Sequence, residues 1–250
     1  MRSLVALSLL ITASLVITSG SILAHDSFEP ELEAKAYIVY DVKNDKVLLS
    51  KNSHAQLPLA SLTKLMTAYA ARELGSAATM EEMCFMLVTS SNEIAEDIGG
   101  RIGGHTGDGP TRLNMWATVL DLKQTFYLNT TGLDISETLS GAYGSAQDMA
   151  RLISVVEDEH PELLRCSAQG TARYGDSELS NTNKEAGRTI GLIGSKTGLT
   201  DLAGGNLAVI IDVEINRPVI IVVLGSSEEG RFPDIDILRE ATIRLLNENL

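Results

Sequence analysis

The chain is poor in cysteine. Two in 250 residues are too few for a disulfide framework or a four-thiolate zinc site. Only 6 prolines are present and no Pro/Ser-rich linker divides the chain, so its length points to one domain of two lobes. It also lacks internal repeats, which sets aside solenoids and propellers. The four histidines (His25, His54, His105 and His160) lie far apart, with no H-E-x-x-H or paired-ligand spacing, so neither a metal nor another cofactor is expected. Positive charge is in deficit: 20 Lys and Arg face 33 Asp and Glu, a formal net charge of −13. Such a surface repels phosphate backbones, which argues against nucleic acid as a partner. Apolar residues are plentiful, at 44% against 21% charged, which excludes a disordered chain and allows a sizeable core.

The first segment reads as an address. Arg2 precedes an apolar run, Leu4 to Ala24, and His25-Asp26 and the acidic Glu29, Glu31 and Glu33 follow. This is the order of a secretory signal. Ala24 suits the last position before cleavage, whereas Ile22 is bulky where a small residue is preferred. An uncleaved anchor is the alternative, because about 20 apolar residues can also span a bilayer. Both readings export the remainder, to the periplasm or the outer face of the cytoplasmic membrane, with membrane contact only through this segment. No cysteine follows the run, so a lipoprotein is excluded. In this outline residues 1–24 are signal or anchor and residues 34–250 the functional domain. Cys84 lies in the apolar run Met83 to Val88 and reads as a small buried hydrophobe, with a disulfide to Cys166 as the alternative in an oxidising space.

Strands are expected at both ends of the exported chain and helices between them. Ala36 to Tyr40 and Val47 to Ser50 pattern as strands around an Asn44-Asp45 turn. Helices are expected over Ser61 to Leu74, Thr79 to Thr89, Asn92 to Ile102, Pro110 to Leu122 and Ser145 to Glu157. Thr79 with Glu82 makes a capping box, and Ser145 caps the last of these. Thr189 to Thr200, Asn206 to Glu214 and Val219 to Leu224 follow as strands, with a turn at Asn216-Arg217-Pro218. Pro233 to Asn247 closes the chain as a helix. The economical fold is α+β: one antiparallel sheet built from both ends of the chain, flanked by helices, with an inserted all-helical lobe.

Three short motifs carry chemistry. In Ser61-Leu62-Thr63-Lys64 a helical spacing of three puts Ser61 and Lys64 on one face. A serine hydroxyl needs a base, and Lys64 serves only if desolvation or a second cation keeps it neutral. Alone, the pattern equally describes an N-cap serine beside a solvated lysine. Ser90-Ser91-Asn92, at a helix junction, offers Ser90 as a proton relay and Asn92 as a clamp, or simply a cap. Lys196-Thr197-Gly198, on an expected strand, supplies the second cation. Lys196 and Thr197 can hold a substrate carboxylate, and Gly198 leaves room beside the strand. The backbone N–H of Leu199 can pair with that of Ser61 as an oxyanion hole. Ser50-Lys51-Asn52 matches the second pattern but precedes the first motif and is read as coincidence. His54 lies on a loop ahead of Ser61, so a Ser–His scheme is less favoured than the lysine.

The order S-x-x-K, S-x-N, K-T-G belongs to penicillin-interacting serine enzymes. With its flanks the chain resembles the D-alanyl-D-alanine carboxypeptidases, the low-molecular-mass penicillin-binding proteins. Leu59 to Ala68 is similar to the family's nucleophile helix and Leu87 to Ala95 to its second motif. Phe126 to Leu133 resembles its "F-x-N-x-T-G-L" stretch, and Ser145 to Ala150 its "S-T-A-x-D-M-A" helix. Lys196 to Thr200 with Ala203 to Leu207 resembles its third motif and next strand. The resemblance implies a β-lactamase/transpeptidase-like fold and an acyl-enzyme on Ser61, formed from a peptidoglycan stem peptide with loss of the terminal D-alanine. It implies Lys64 as base, Ser90 and Asn92 as relay and positioning residues, Lys196 and Thr197 at the carboxylate, and β-lactams as inhibitors that mimic substrate. Arg231 aligns with an arginine the family uses near that carboxylate, with a loop-capping surface arginine as the alternative. The stretch between Lys64 and Ser90 is shorter than in the family, and no C-terminal β-rich domain or terminal membrane-binding helix follows the closing helix. A DD-endopeptidase, a serine β-lactamase and a non-catalytic cell-wall or β-lactam sensor remain as rivals. A β-lactamase commonly needs a carboxylate that activates water; Asp134 and Glu137 follow the second motif, but neither sits in that family's glutamate context.

Overall fold

In the computed structural model, residues 30–104 and 108–248 are described. The leader expected over residues 1–24, and His25 and His105, lie outside them. β1 (Ala36–Asp41) alternates its side chains between two cores: Ala36 and Ile38 enter one, Tyr37 and Val39 the other. This period-2 division buries both faces of the strand. β1 pairs antiparallel with β2 (Lys46–Lys51) and with β10 (Arg217–Ser226). Counting the short strands β3 to β7 in chain order, β10 is followed outward by β9 (Gly204–Glu214) and β8 (Leu192–Thr200). The sheet order β2-β1-β10-β9-β8 is the expected sheet of both chain ends.

Helix α7 (Arg231–Glu248) covers one face, seating Phe232, Ile235 and Leu238 on Val209, Ile221 and Val223. The other face carries α1 (Thr63–Glu73) and α5 (Ala146–Glu159). Between them in the chain run α2 (Met80–Thr89), α3 (Asn92–Gly103) and α4 (Gly109–Val119), the expected helical lobe. Thr79 and Glu82 form the anticipated capping box on α2, and Ser145 caps α5 by accepting from the Asp148 N–H. Buried Asp234 on α7 accepts from the N–H groups of Glu33 and Ala34 and from the Ser226 hydroxyl, which ties the start of β1 to the end of β10.

Several expectations are corrected. The first motif opens as a 3-10 turn over Ala60–Leu62, and α-helix begins only at Thr63. β8 starts at Leu192 rather than Thr189, and Arg217 and Pro218 belong to β10 rather than to the turn before it. Not anticipated were β3 (Leu57–Pro58), β4 (Phe126–Tyr127) and β5 (Ala142–Gly144), which make a small sheet in the order β3-β5-β4. Also unforeseen were α6 (Pro161–Ser167) and the hairpin of β6 (Thr171–Tyr174) and β7 (Ser177–Ser180). All are too short to show a period. The preferred reading of Cys84 as a free buried hydrophobe fails for the same reason. Helix α6 packs against α2 and brings Cys166 into a disulfide with Cys84, with Cα atoms 5.6 Å apart.

Candidate active site

The site forms where the Ser61 turn, the α2–α3 junction and strand β8 meet. Ala60, just before Ser61, has φ +47°, a left-handed conformation that non-glycine residues adopt at a cost. Its surroundings hold it there. The Thr63 hydroxyl donates to the Ala60 carbonyl at 2.8 Å. Fully buried Asn206 on β9 donates its amide to the carbonyls of Pro58 and Leu59 at 3.0 and 3.1 Å. Gly132, at φ +82°, closes in from the loop after β4, where a Cβ would lie 1.8 Å from the Ala60 oxygen.

Lys64, one turn after Ser61, is fully buried. Its Nζ lies 2.9 Å from Ser61 Oγ, 2.8 Å from Asn92 Oδ1 and 2.7 Å from the Thr131 carbonyl. Burial strips water from the ammonium and brings the amine down to about 7, against a smaller upward pull from Glu96. The geometry then sorts the protons. A neutral amine keeps two N–H bonds, and the Asn92 and Thr131 oxygens can only accept. The lone pair is left for the Ser61 hydroxyl, which is what a general base requires.

Lys196 on β8 is buried too. Its Nζ donates to Ser90 Oγ and to the Thr197 carbonyl, both at 2.9 Å. Burial, then the charges of Lys64 and Arg231, pushes it well below its ordinary value. Of the two expected depressants of Lys64, a desolvated site and a second cation, burial is the one that acts there. Ser90 itself caps α2 in the left-handed region at φ +60°, which turns the chain between α2 and α3. Ser91 caps α3 by accepting from Ile94 N–H at 3.2 Å.

Thr197 is buried, and its hydroxyl meets that of Thr182 at 2.6 Å. Gly198 departs from expectation. The space beside it is filled by the Ser61 turn, since a Cβ there would lie 2.9 Å from the Leu59 oxygen. The missing side chain lets β8 approach the nucleophile rather than leaving room for substrate. Leu199 is exposed, at the end of the sheet's outermost strand. Arg231 is buried at the start of α7 and donates to the Gly198 carbonyl at 2.8 Å, so it is no surface loop cap. It reaches the third motif through the backbone.

The structure therefore gathers Ser61, Lys64, Ser90, Asn92, Lys196 and Thr197. His54 is exposed, and Asn52 of the coincidental motif donates to the Lys35 carbonyl. Asp134 binds the Thr200 hydroxyl and the Leu202 N–H, and Glu137 is exposed. His160 is not isolated as its spacing suggested: it lies 2.8 Å from Glu73 and close to Glu159, and Glu159 accepts from Tyr69. Sequence reasoning missed the Thr131 carbonyl, and a backbone acceptor carries no residue signal. It also missed Asn129, whose side chain accepts from the N–H groups of Thr131 and Gly132 and so aims that carbonyl. Asn206 and Thr182 had no role assigned.

A serine and a lysine one turn apart, faced by a second buried lysine on an edge strand, define a penicillin-interacting serine hydrolase site. The chain belongs to the D-alanyl-D-alanine carboxypeptidase family, whose model matches residues 24–81 and 70–228. It is 26% identical over 268 residues to D-alanyl-D-alanine carboxypeptidase DacD of Escherichia coli (strain K12), covering 89% of this chain and 68% of that protein. The DacD of Salmonella typhimurium is also 26% identical, and 60% of its length is spanned. A D-alanyl-D-alanine endopeptidase of Pseudomonas aeruginosa is 28% identical over 84% of this chain and 77% of its own length. Among solved structures, penicillin-binding protein D2 from Listeria monocytogenes in its cefotaxime-bound form superposes with a TM-score of 0.77 at 28% identity, covering 85% of this chain and 98% of that one.

Proposed function

We propose that this chain hydrolyses the D-Ala-D-Ala bond of peptidoglycan stem peptides through an acyl-enzyme on Ser61. The observation that carries the reading is the buried Lys64 amine 2.9 Å from Ser61 Oγ, whose two other partners, the Asn92 and Thr131 oxygens, only accept. Neutral Lys64 takes the Ser61 proton as Oγ attacks the penultimate D-alanine carbonyl. The Ser61 and Leu199 backbone N–H groups receive the oxyanion. Ser90, held by Lys196, passes its proton to the departing D-alanine nitrogen and receives in turn the one Lys64 took from Ser61, which leaves Lys64 neutral again. Lys196 and Thr197 draw in the terminal carboxylate, with Arg231 adding positive charge from behind Gly198. Water then attacks the ester, neutral Lys64 accepting its proton and returning it to Ser61 Oγ as the acyl bond breaks.

Residues 34–250 are the catalytic unit in this reading, and residues 1–24 export it to the periplasm or the outer face of the cytoplasmic membrane. Among the described residues no helix is long and apolar enough to cross a membrane. The endopeptidase alternative has its own support: the Pseudomonas aeruginosa relative carrying that name is spanned over 77% of its length, more than either DacD.

Purified protein incubated with a pentapeptide stem, a cross-linked dimer and a labelled penicillin separates the readings. Released D-alanine and a slowly turned-over penicillin adduct are expected, and Ser61→Ala abolishes both. Cleavage of the dimer alone makes the chain an endopeptidase. Rapid penicillin turnover would make it a β-lactamase, and binding without covalent label a sensor. His54→Ala leaves labelling unchanged.

A further inference from the structure

The Cys84–Cys166 disulfide stands outside the reaction, yet it closes a ring that runs through the site. From Cys84, helix α2 continues six residues to Ser90. Ser90 Oγ accepts from Lys196 Nζ at 2.9 Å. Its chain neighbour Ser195 donates its N–H to Ser167 Oγ at 3.0 Å and its hydroxyl to the Ser167 carbonyl at 3.3 Å. Ser167 follows Cys166 on α6, and the sulfur–sulfur bond returns to α2. One covalent link and the Ser90–Lys196 hydrogen bond thus sit at opposite ends of a single loop of contacts. We infer that Cys84 and Cys166 are positioning residues for acyl transfer: their bond sets the height of α2 against α6 and β8, and through it the placement of Ser90 on Lys196.

The margin is small. A hydrogen bond of 2.9 Å is lost when its atoms part beyond about 3.5 Å, and a misplacement of about 1 Å at a reacting group costs on the order of 100-fold in rate. Apolar packing of α2 on α6 also joins these elements, as do hydrogen bonds through Asn181 and Thr182. The Thr182 N–H donates to the Val88 carbonyl at 3.0 Å, and the Thr182 hydroxyl meets Thr197. Asn181 donates to the Ser167 carbonyl. These noncovalent contacts keep the reduced protein folded, and in the proposal the loss of the covalent link loosens Ser90 on Lys196 and slows acylation. Full activity then arrives with oxidation in the compartment to which the chain is exported.

The inference rests on the acyl-enzyme reading, and the test keeps the two apart. The intact protein is reduced with dithiothreitol in the cold, thiols are counted, and folding is followed by circular dichroism. Penicillin acylation is resolved into the noncovalent dissociation constant and the acylation rate constant. The acylation constant is expected to fall 10- to 100-fold with dissociation changed less than twofold, and reoxidation restores it. Cys84→Ala with Cys166→Ala reproduces the reduced state. An acylation constant within twofold of the oxidised protein overturns the inference. So does a loss confined to the amplitude, in proportion to unfolded protein, because that marks a purely structural bond. If the oxidised protein takes no label at all, the acyl-enzyme reading itself has failed.

Discussion

At the residue scale the account turns on Lys64. Its three acceptors would suit an ammonium equally well, so the charge state is decided by burial, which brings the amine to about 7. The sign is definite: the reactive form is the neutral one, so acylation rises with pH through about 7 and levels off above it. A pH series of penicillin labelling checks this, and a rate flat from pH 5 to 9 would oppose it. Lys64→Met keeps the stem but removes the lone pair, and its labelling rate is expected to fall by at least about 1,000-fold, within the range of general-base catalysis. Gly132→Ala belongs here too. A methyl 1.8 Å from the Ala60 carbonyl forces the Ser61 turn to move, and labelling falls with it. Ser61, Lys64 and Lys196 were legible in sequence because residue type and spacing carry their chemistry. The Thr131 carbonyl was not, because every residue has one.

At the element scale, the turn bearing Ser61 is held by a side chain of strand β9. Fully buried Asn206 donates to two carbonyls before Ser61 and accepts from the Gly225 N–H. Asn206→Leu leaves these groups unpaired and is expected to cost about 3 kcal/mol, read from the urea midpoint; an unchanged midpoint would contradict the role given to it. Helices with caps and a full apolar face, such as α2 and α5, were readable from sequence. The small β3-β5-β4 sheet, α6 and the β6–β7 hairpin were not, since four to seven residues or fewer hold no recognisable period. That loss hid the disulfide as well, because Cys166 meets Cys84 only once α6 exists.

At the scale of the whole molecule, a sheet that joins both chain ends makes the site a product of long-range pairing. Ser61 follows β1 and β2, while Lys196 lies on β8 and Arg231 starts α7. The alternation along β1 and β10 that buries both faces was visible as unbroken apolar runs, and so was the α+β class. The joining of both chain ends in one antiparallel sheet was an inference from economy, and pairing of Ala36 with Leu224 bears it out. Ile38→Ala, at the centre of β1 and fully buried, is expected to destabilise the whole domain by about 2–5 kcal/mol, seen as a lower Tm for sheet and helix signals together. Separate transitions for the two would mean that the lobes do not fold as one. The most direct test of the account is a nuclear magnetic resonance titration of 13Cε-labelled lysine, with the Lys64 signal assigned by its loss in Lys64→Met. The account predicts a midpoint near 7; a Lys64 amine that stays charged until pH 10 would contradict it.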